Sequence, residues 1–283
     1  MALAPHKRGS GDPAWRRTLD GAVWRTSRTP AGPATLRVAV EDERVRGRAW
    51  GPGAEWLLDG LPRLLGGEDD VSGFTVRHAV LRDVARTHAG LRIGSTGRVM
   101  EALVPAVLEQ KVVGREAWRA WRWLLGTYGE PAPGPAPEGM RVIPEPALWR
   151  EIPTWHWHRA GVEAVRARTI ATAAWHAGKL ESATTSERLD HLLRALPGIG
   201  VWTSAEIRQR AFGDPDALSV GDFHLAALVG YALTGEKTDD PGMLRLLEPY
   251  RGHRHRAGLL VTLSGVRPPP RGPRMPARDY RAF

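Results

Sequence analysis

The stretch Leu196-Pro197-Gly198-Ile199-Gly200, with Trp202 two residues on and Gly221-Asp222 further downstream, decides how this chain is read. Residues 191–196 are helix-like. Residues 202–212 contain no Pro or Gly and carry apolar side chains at helical intervals, so the five residues between form a tight turn joining two helices. Pro197 lacks an amide donor and helps to end the first helix. Gly198 and Gly200 allow positive φ and place no side chain between the backbone and a ligand. The amides that open the second helix point outward with the positive end of its dipole, which suits a phosphate. A grip on a nucleic-acid backbone that does not read its sequence requires these features. An ordinary interhelix turn, with Asp222 capping a helix that begins at Phe223, is the competing reading.

Composition frames this hairpin. A chain of 283 residues can bury a real core, as one large domain or two to three small ones. The 40 basic and 31 acidic residues give a net charge of +9, which favours a polyanionic partner. Lysine occurs only at 7, 111, 179 and 237, so the positive charge is nearly all arginine, as GC-rich coding alone would produce. Between Arg251 and Arg281 eight arginines face one acid, Asp279; this end reads either as a DNA-covering tail or as a solvated terminus. The chain has no cysteine, so disulfides and cysteine-held iron–sulfur clusters are excluded. No apolar stretch is long enough to span a bilayer, and residues 1–8 lack the apolar core of a secretory signal. A soluble, cytoplasmic protein is expected.

Along the chain, residues 1–18 read as a flexible basic lead and 19–75 as a small sheet-containing domain with strands at 22–27, 34–41 and 44–50. A helical pattern at 54–65 stops at Gly66-Gly67. From 76 to 265 the periodicity is helical almost throughout, with helices expected at 77–89, 99–109, 115–128, 162–176, 187–195, 202–212, 223–234, 242–249 and 256–264. Residues 131–137 form a proline-rich connector, and 266–283 a basic Pro/Arg-rich tail.

The hairpin followed by Gly221-Asp222 resembles the helix-hairpin-helix DNA glycosylase superfamily. Residues 88–93 and 101–110 are similar to the opening of the helical domain in its bacterial 3-methyladenine branch, and 53–66 to the end of that branch's small sheet domain. The resemblance covers about residues 20 to 265. It implies a mainly α fold: an N-terminal α+β domain packed on a two-lobed helical bundle, with the DNA cleft between the lobes. It implies a monomer that acts on double-stranded DNA containing a damaged base.

By the same resemblance Asp222 is the catalytic carboxylate. Base excision requires the nucleotide to be flipped, and a carboxylate near the anomeric carbon stabilises the developing oxocarbenium ion. Asp214 and Asp216 are rivals by position, but Asp214-Pro215-Asp216 has the composition of a turn. Where lyase members carry a nucleophilic lysine, this chain has Trp202. The resemblance therefore implies hydrolytic release of an alkylated base, leaving an abasic site, with Trp202 stacking on it. Trp202 could also be a core residue on the first turn of a helix. The chain departs from the branch at Glu206 and near Leu259 and Leu260, where aromatics line the pocket. Trp155 and Trp157 are the candidates to replace them, or else loop-packing residues; Glu206 could accept a hydrogen bond from a base or face solvent. Gln110 and Lys111 stand where residues fill the gap left by a flipped nucleotide, although a lysine complementing a helix dipole fits too. DNA contacts are expected from Pro197, Gly198, Ile199, Gly200 and Thr203. A structural Na+ or K+ would sit on the carbonyls of Arg194, Leu196 and Ile199, and no other cofactor is expected. Two further functions stay open: a non-catalytic DNA-damage-binding protein, and a glycosylase for oxidised or deaminated bases.

Overall fold

The computed structural model describes residues 2–269 and 279. Four antiparallel strands in simple sequential order, β1 (Trp15–Arg17), β2 (Val23–Thr29), β3 (Gly32–Glu41) and β4 (Arg44–Trp50), form the N-terminal sheet. Two-residue turns join the last three. In the β3–β4 turn both Asp42 (φ 52°) and Glu43 (φ 59°) are left-handed, the backbone of a type I′ hairpin that matches strand twist. Helices α1 (Ala54–Asp59) and α2 (Leu61–Leu64) cover one face of the sheet, closing a small core of Leu36, Val38, Leu57 and Leu64. Gly47 lets them approach: a Cβ there would lie 2.5 Å from Leu61 Cδ2.

Residues 2–18 do not form the expected flexible lead. Leu3 is buried in this same small core and its carbonyl accepts from Trp15 Nε1 at 3.1 Å. Asp12, only 1% exposed, accepts from the amides of Arg8 (2.7 Å) and Ala14 (2.9 Å) and from Trp121 Nε1 (2.8 Å). One carboxylate thus satisfies three donors, one of them 109 residues away, and local composition cannot announce such a partner.

Helix α3 (Val80–Thr87) comes next, then α4 (Val99–Leu108) and α5 (Gly114–Tyr128). A short ribbon of β5 (Glu130–Pro131) and β6 (Arg141–Val142) brackets the proline-rich connector. Helices α6 (Pro146–Glu151), α7 (Thr154–Ala160), α8 (Ala164–Trp175), α9 (Ala177–Glu181), α10 (Ser186–Arg194) and α11 (Val201–Ala211) follow, then α12 (Leu225–Thr234), α13 (Asp240–Leu247) and α14 (Arg254–Leu263). The ribbon and the short helices α6, α7 and α9 are additional to the expected elements. Each has seven residues or fewer, too few for periodicity to speak.

The helices bury two separate cores. The first surrounds α4, whose Ala102 to Leu108 are all buried, and draws on α5, α7, α8, α10 and α11. The second joins Leu81 of α3 to Val229, Met243, Leu247, Tyr250 and Leu260. The chain enters the second lobe first, leaves it to build the first, and returns. Its two crossings run together: Thr96 N donates to Arg210 O at 2.9 Å and Gly97 N to Ala211 O at 3.0 Å. A buried ion pair of Arg256 with Asp69 ties α14 to the outgoing crossing, because Asp69 also accepts from Ile93 N at 2.9 Å. Among the described residues no helix is long and apolar enough to cross a membrane. The expected tail lies mostly outside the described residues.

Candidate active site

The hairpin joins α10 to α11. Thr185 starts α10 by accepting from Arg188 N at 3.1 Å. Gly198 is required twice over: its φ is +88°, and an added Cβ would lie 2.1 Å from Thr169 Oγ1 on α8. Gly200 departs from the expectation in conformation alone. Its backbone is extended (φ −93°, ψ −176°), and a Cβ there meets nothing within 4 Å, so its glycine leaves open approach rather than serving a special conformation. Ile199 is buried in the first lobe's core, which pins the turn, while Pro197, Gly198 and Gly200 stay exposed. The first amides of α11 have no partner within the helix and lie beside this open backbone.

Gln110 braces the hairpin from the end of α4. Its Nε2 donates to Gly198 O at 2.9 Å and Thr203 Oγ1 at 2.8 Å. Thr203 is 2% exposed, so its hydroxyl serves this brace and does not present a DNA-contacting group, which corrects the expectation for its side chain. Lys111 is exposed and left-handed (φ 54°), projecting from the turn that ends α4. The carbonyl of Leu196 accepts from Ile199 N at 3.2 Å; it and that of Ile199 lie in the turn after α10, and Arg194 is the last residue of that helix, where termination frees carbonyls.

Asp222 lies on the returning crossing, half-buried, just before α12. Its Oδ1 accepts from His224 N (2.8 Å) and Leu225 N (2.9 Å), and so caps α12; its Oδ2 accepts from Trp202 Nε1 at 3.3 Å. The helix cap and the partnership with Trp202 coexist in one carboxylate. Trp202, from the first lobe, and Asp222, at the mouth of the second, thereby meet. Phe223, 84% exposed, stands beside them, a neighbour that sequence reasoning did not single out. The rival acids are engaged elsewhere: Asp214 accepts from Asp216 N (2.8 Å) and Ala217 N (3.0 Å), and Asp216 ion-pairs with Arg254.

Two expected substrate-binding residues do not face a ligand. Trp157 is 4% exposed and stacks on Trp149 within the first core (centroids 6.0 Å apart). It lies on α7, so the 155–157 stretch is a helix and not a loop; Trp155, on the same helix, is exposed. Glu206 neither faces solvent nor offers a free oxygen: Oε2 pairs with Arg210 at 2.8 Å and Oε1 accepts from Ser219 Oγ. Burial would push the Glu206 carboxyl up, but Arg210, the Ser219 hydrogen bond and Arg8 hold it below the usual range. Near it, burial pushes His255 down to about 4, with Arg210 assisting and Glu206 and Asp214 opposing. Ser219 and Gln209 were not foreseen. Gln209, seven residues after Trp202, shares its helix face, which is the signal that could have found it.

No family model matches the chain. Its sequence is 29% identical over 252 residues to a probable bifunctional transcriptional activator/DNA repair enzyme AlkA of Mycobacterium tuberculosis, covering 86% of this chain and 49% of that protein. The chain thus spans about half the length of the curated relatives it matches. Among solved structures, the 3-methyladenine DNA-glycosylase of Archaeoglobus fulgidus superposes with a TM-score of 0.70 at 17% identity, covering 93% of this chain and 94% of that one. The apo 8-oxoguanine glycosylase/lyase of Clostridium acetobutylicum gives 0.70 at 11% identity, covering 93% and 92%.

Proposed function

For a chain homologous to AlkA that carries the fold of the helix-hairpin-helix DNA glycosylases, we propose the activity of a monofunctional DNA N-glycosylase, releasing an alkylated purine of the 3-methyladenine or 7-methylguanine type. The observation that carries this reading is the meeting of Trp202 with Asp222 beside the open hairpin. In this reading the hairpin amides hold a phosphate of double-stranded DNA, the damaged nucleotide is flipped, and the Asp222 carboxylate stabilises positive charge as the glycosidic bond breaks. Water then completes a hydrolysis. Trp202 stands where a lyase would need a lysine, and no lysine occurs between Lys179 and Lys237, so the abasic strand is left uncut. A Na+ or K+ would be held by the carbonyls of Arg194, Leu196 and Ile199 and would supply positive charge for a phosphate; no other cofactor enters. The protein works as a monomer.

The test is incubation of randomly alkylated duplex DNA with the wild type and Asp222→Asn, with free bases identified by chromatography. Wild type should release methylated purines, and the variant should be slower by about a hundredfold or more. Equal rates remove Asp222 from the mechanism. The closed Glu206–Arg210–Ser219 group, standing in place of an aromatic, favours a second reading: a damage-binding protein without excision. Salt-sensitive DNA binding with no base released from alkylated, oxidised or deaminated substrates would select it.

A further inference from the structure

Helix α11 presents Trp202, Glu206 and Gln209 at i, i+4 and i+7, one face of a helix, and that face meets the irregular segment 217–222 along its length. Trp202 Nε1 reaches Asp222 Oδ2 at 3.3 Å, and Glu206 Oε1 accepts from Ser219 Oγ. Gln209 Nε2 donates to Ser219 Oγ at 2.9 Å and to Ala217 O at 2.7 Å. Ser219 passes the connection on, because its carbonyl accepts from Asp222 N at 3.2 Å. From the opposite side Asp240 Oδ2 accepts from Gly221 N at 3.1 Å, where the backbone is left-handed (φ 88°). The cost of this arrangement shows at Asp240, whose Oδ1 is buried with no donor.

We infer that Glu206 and Gln209, acting through Ser219, are positioning residues that set the direction of the Asp222 carboxylate and make no substrate contact of their own; this rests on the glycosylase reading above. The physical need is plain. Segment 217–222 has no helix or strand to stiffen it, yet a carboxylate that must meet a developing cation works only within a narrow range of placement. Both oxygens of Glu206 are committed, one to Ser219 and one to Arg210, so the side chain has nothing left to offer a base. Ser219 (5% exposed) and Gln209 (8%) are shut away from any ligand.

The test uses Ser219→Ala, which removes the hydroxyl link and leaves the Glu206–Arg210 pair intact, beside Glu206→Gln, which keeps an acceptor oxygen for Ser219. Three quantities are measured: single-turnover release of 3-methyladenine from duplex DNA, the Kd for that duplex, and hydrogen exchange of backbone amides in the free protein. Ser219→Ala should slow release by about tenfold at unchanged Kd. Its amides at Asp222, His224 and Leu225 should exchange faster while those of the hairpin do not. Glu206→Gln keeps the acceptor for Ser219 but sets an amide N–H against Arg210, so it should slow release by about threefold to tenfold at unchanged Kd, and a wild-type rate would remove Glu206 from the positioning residues. A wild-type rate and wild-type exchange in Ser219→Ala overturn the inference, as does a Kd that weakens in parallel with the rate. Should the wild type release no base at all, the glycosylase reading fails, and the exchange measurement still decides whether Ser219 holds the Asp222 turn.

Discussion

The hairpin and the turn carrying Asp222 face each other across one hydrogen bond, yet they are built by opposite means. The hairpin is local. Its backbone follows from Pro197 and Gly198, its anchor is Ile199, and its few tertiary supports are Thr169 packed against Gly198 and the brace from Gln110. The Asp222 turn has no such autonomy. It hangs from α11 on one side and Asp240 on the other, and the residues that hold it are scattered from 202 to 240. In the proposed function this contrast has a reason: a grip on a repeating backbone can be made by a short motif, whereas a single carboxylate aimed at one atom needs a scaffold around it.

The contrast breaks most sharply at the glycines. Gly198→Ala forces a left-handed alanine and a collision with Thr169, and should cost about 3 kcal/mol in urea unfolding. Gly200→Ala should leave stability within about 0.5 kcal/mol, because its backbone is extended and its surroundings are open, but should weaken duplex binding. Equal stability losses for the two would mean that the turn is not built as described. The carboxylate side responds to pH. His255 is depressed to about 4 in the fold from 6.5, so below pH 6.5 the unfolded chain takes up the proton first; the stability is complete above 6.5 and is lost as pH falls toward 4. Chemical denaturation at pH 7 and 4.5 should show a drop on the order of 2 kcal/mol that His255→Asn reduces; an unchanged drop in the variant would sink the assignment. Smaller than the Gly198 and His255 effects is that of Gln110→Ala, which removes two hydrogen bonds from the hairpin and should cost about 1 kcal/mol with a modest loss of DNA affinity, read by titration calorimetry.

Much of this was legible beforehand, and the pattern of misses is instructive. The strands ending at Glu41 and Trp50 and the long helices α4, α5 and α11 follow from alternation and helical period. Gly198 and Gly200 were both read as free to adopt positive φ and as leaving the backbone open; Gly198 uses the conformation and Gly200 only the open space, because neighbours decide which of the two a glycine serves. Trp157 looked like a stacking surface because an aromatic in sequence carries no sign of which way it faces, and the second tryptophan that claims it, Trp149, lies outside the motif. Glu206 was read as an acceptor for a base or as facing solvent, but its partners Arg210 and Ser219 consume it. Asp12 buries a region that composition marks as loose, because three donors converge on one carboxylate.

By itself the sequence determined the hairpin, the absence of cysteine ligands and the lysine-free stretch around Trp202, because these depend on residue type and near neighbours along the chain, while the choice of Asp222 came from the family resemblance. Tertiary structure alone decided that Trp202 and Asp222 meet, that Trp157 is core, and that Glu206 is taken up by Arg210 and Ser219. Each of those outcomes depends on which side chains from distant segments compete for the same donor, acceptor or volume, and that competition exists only once the two lobes have closed around their separate cores.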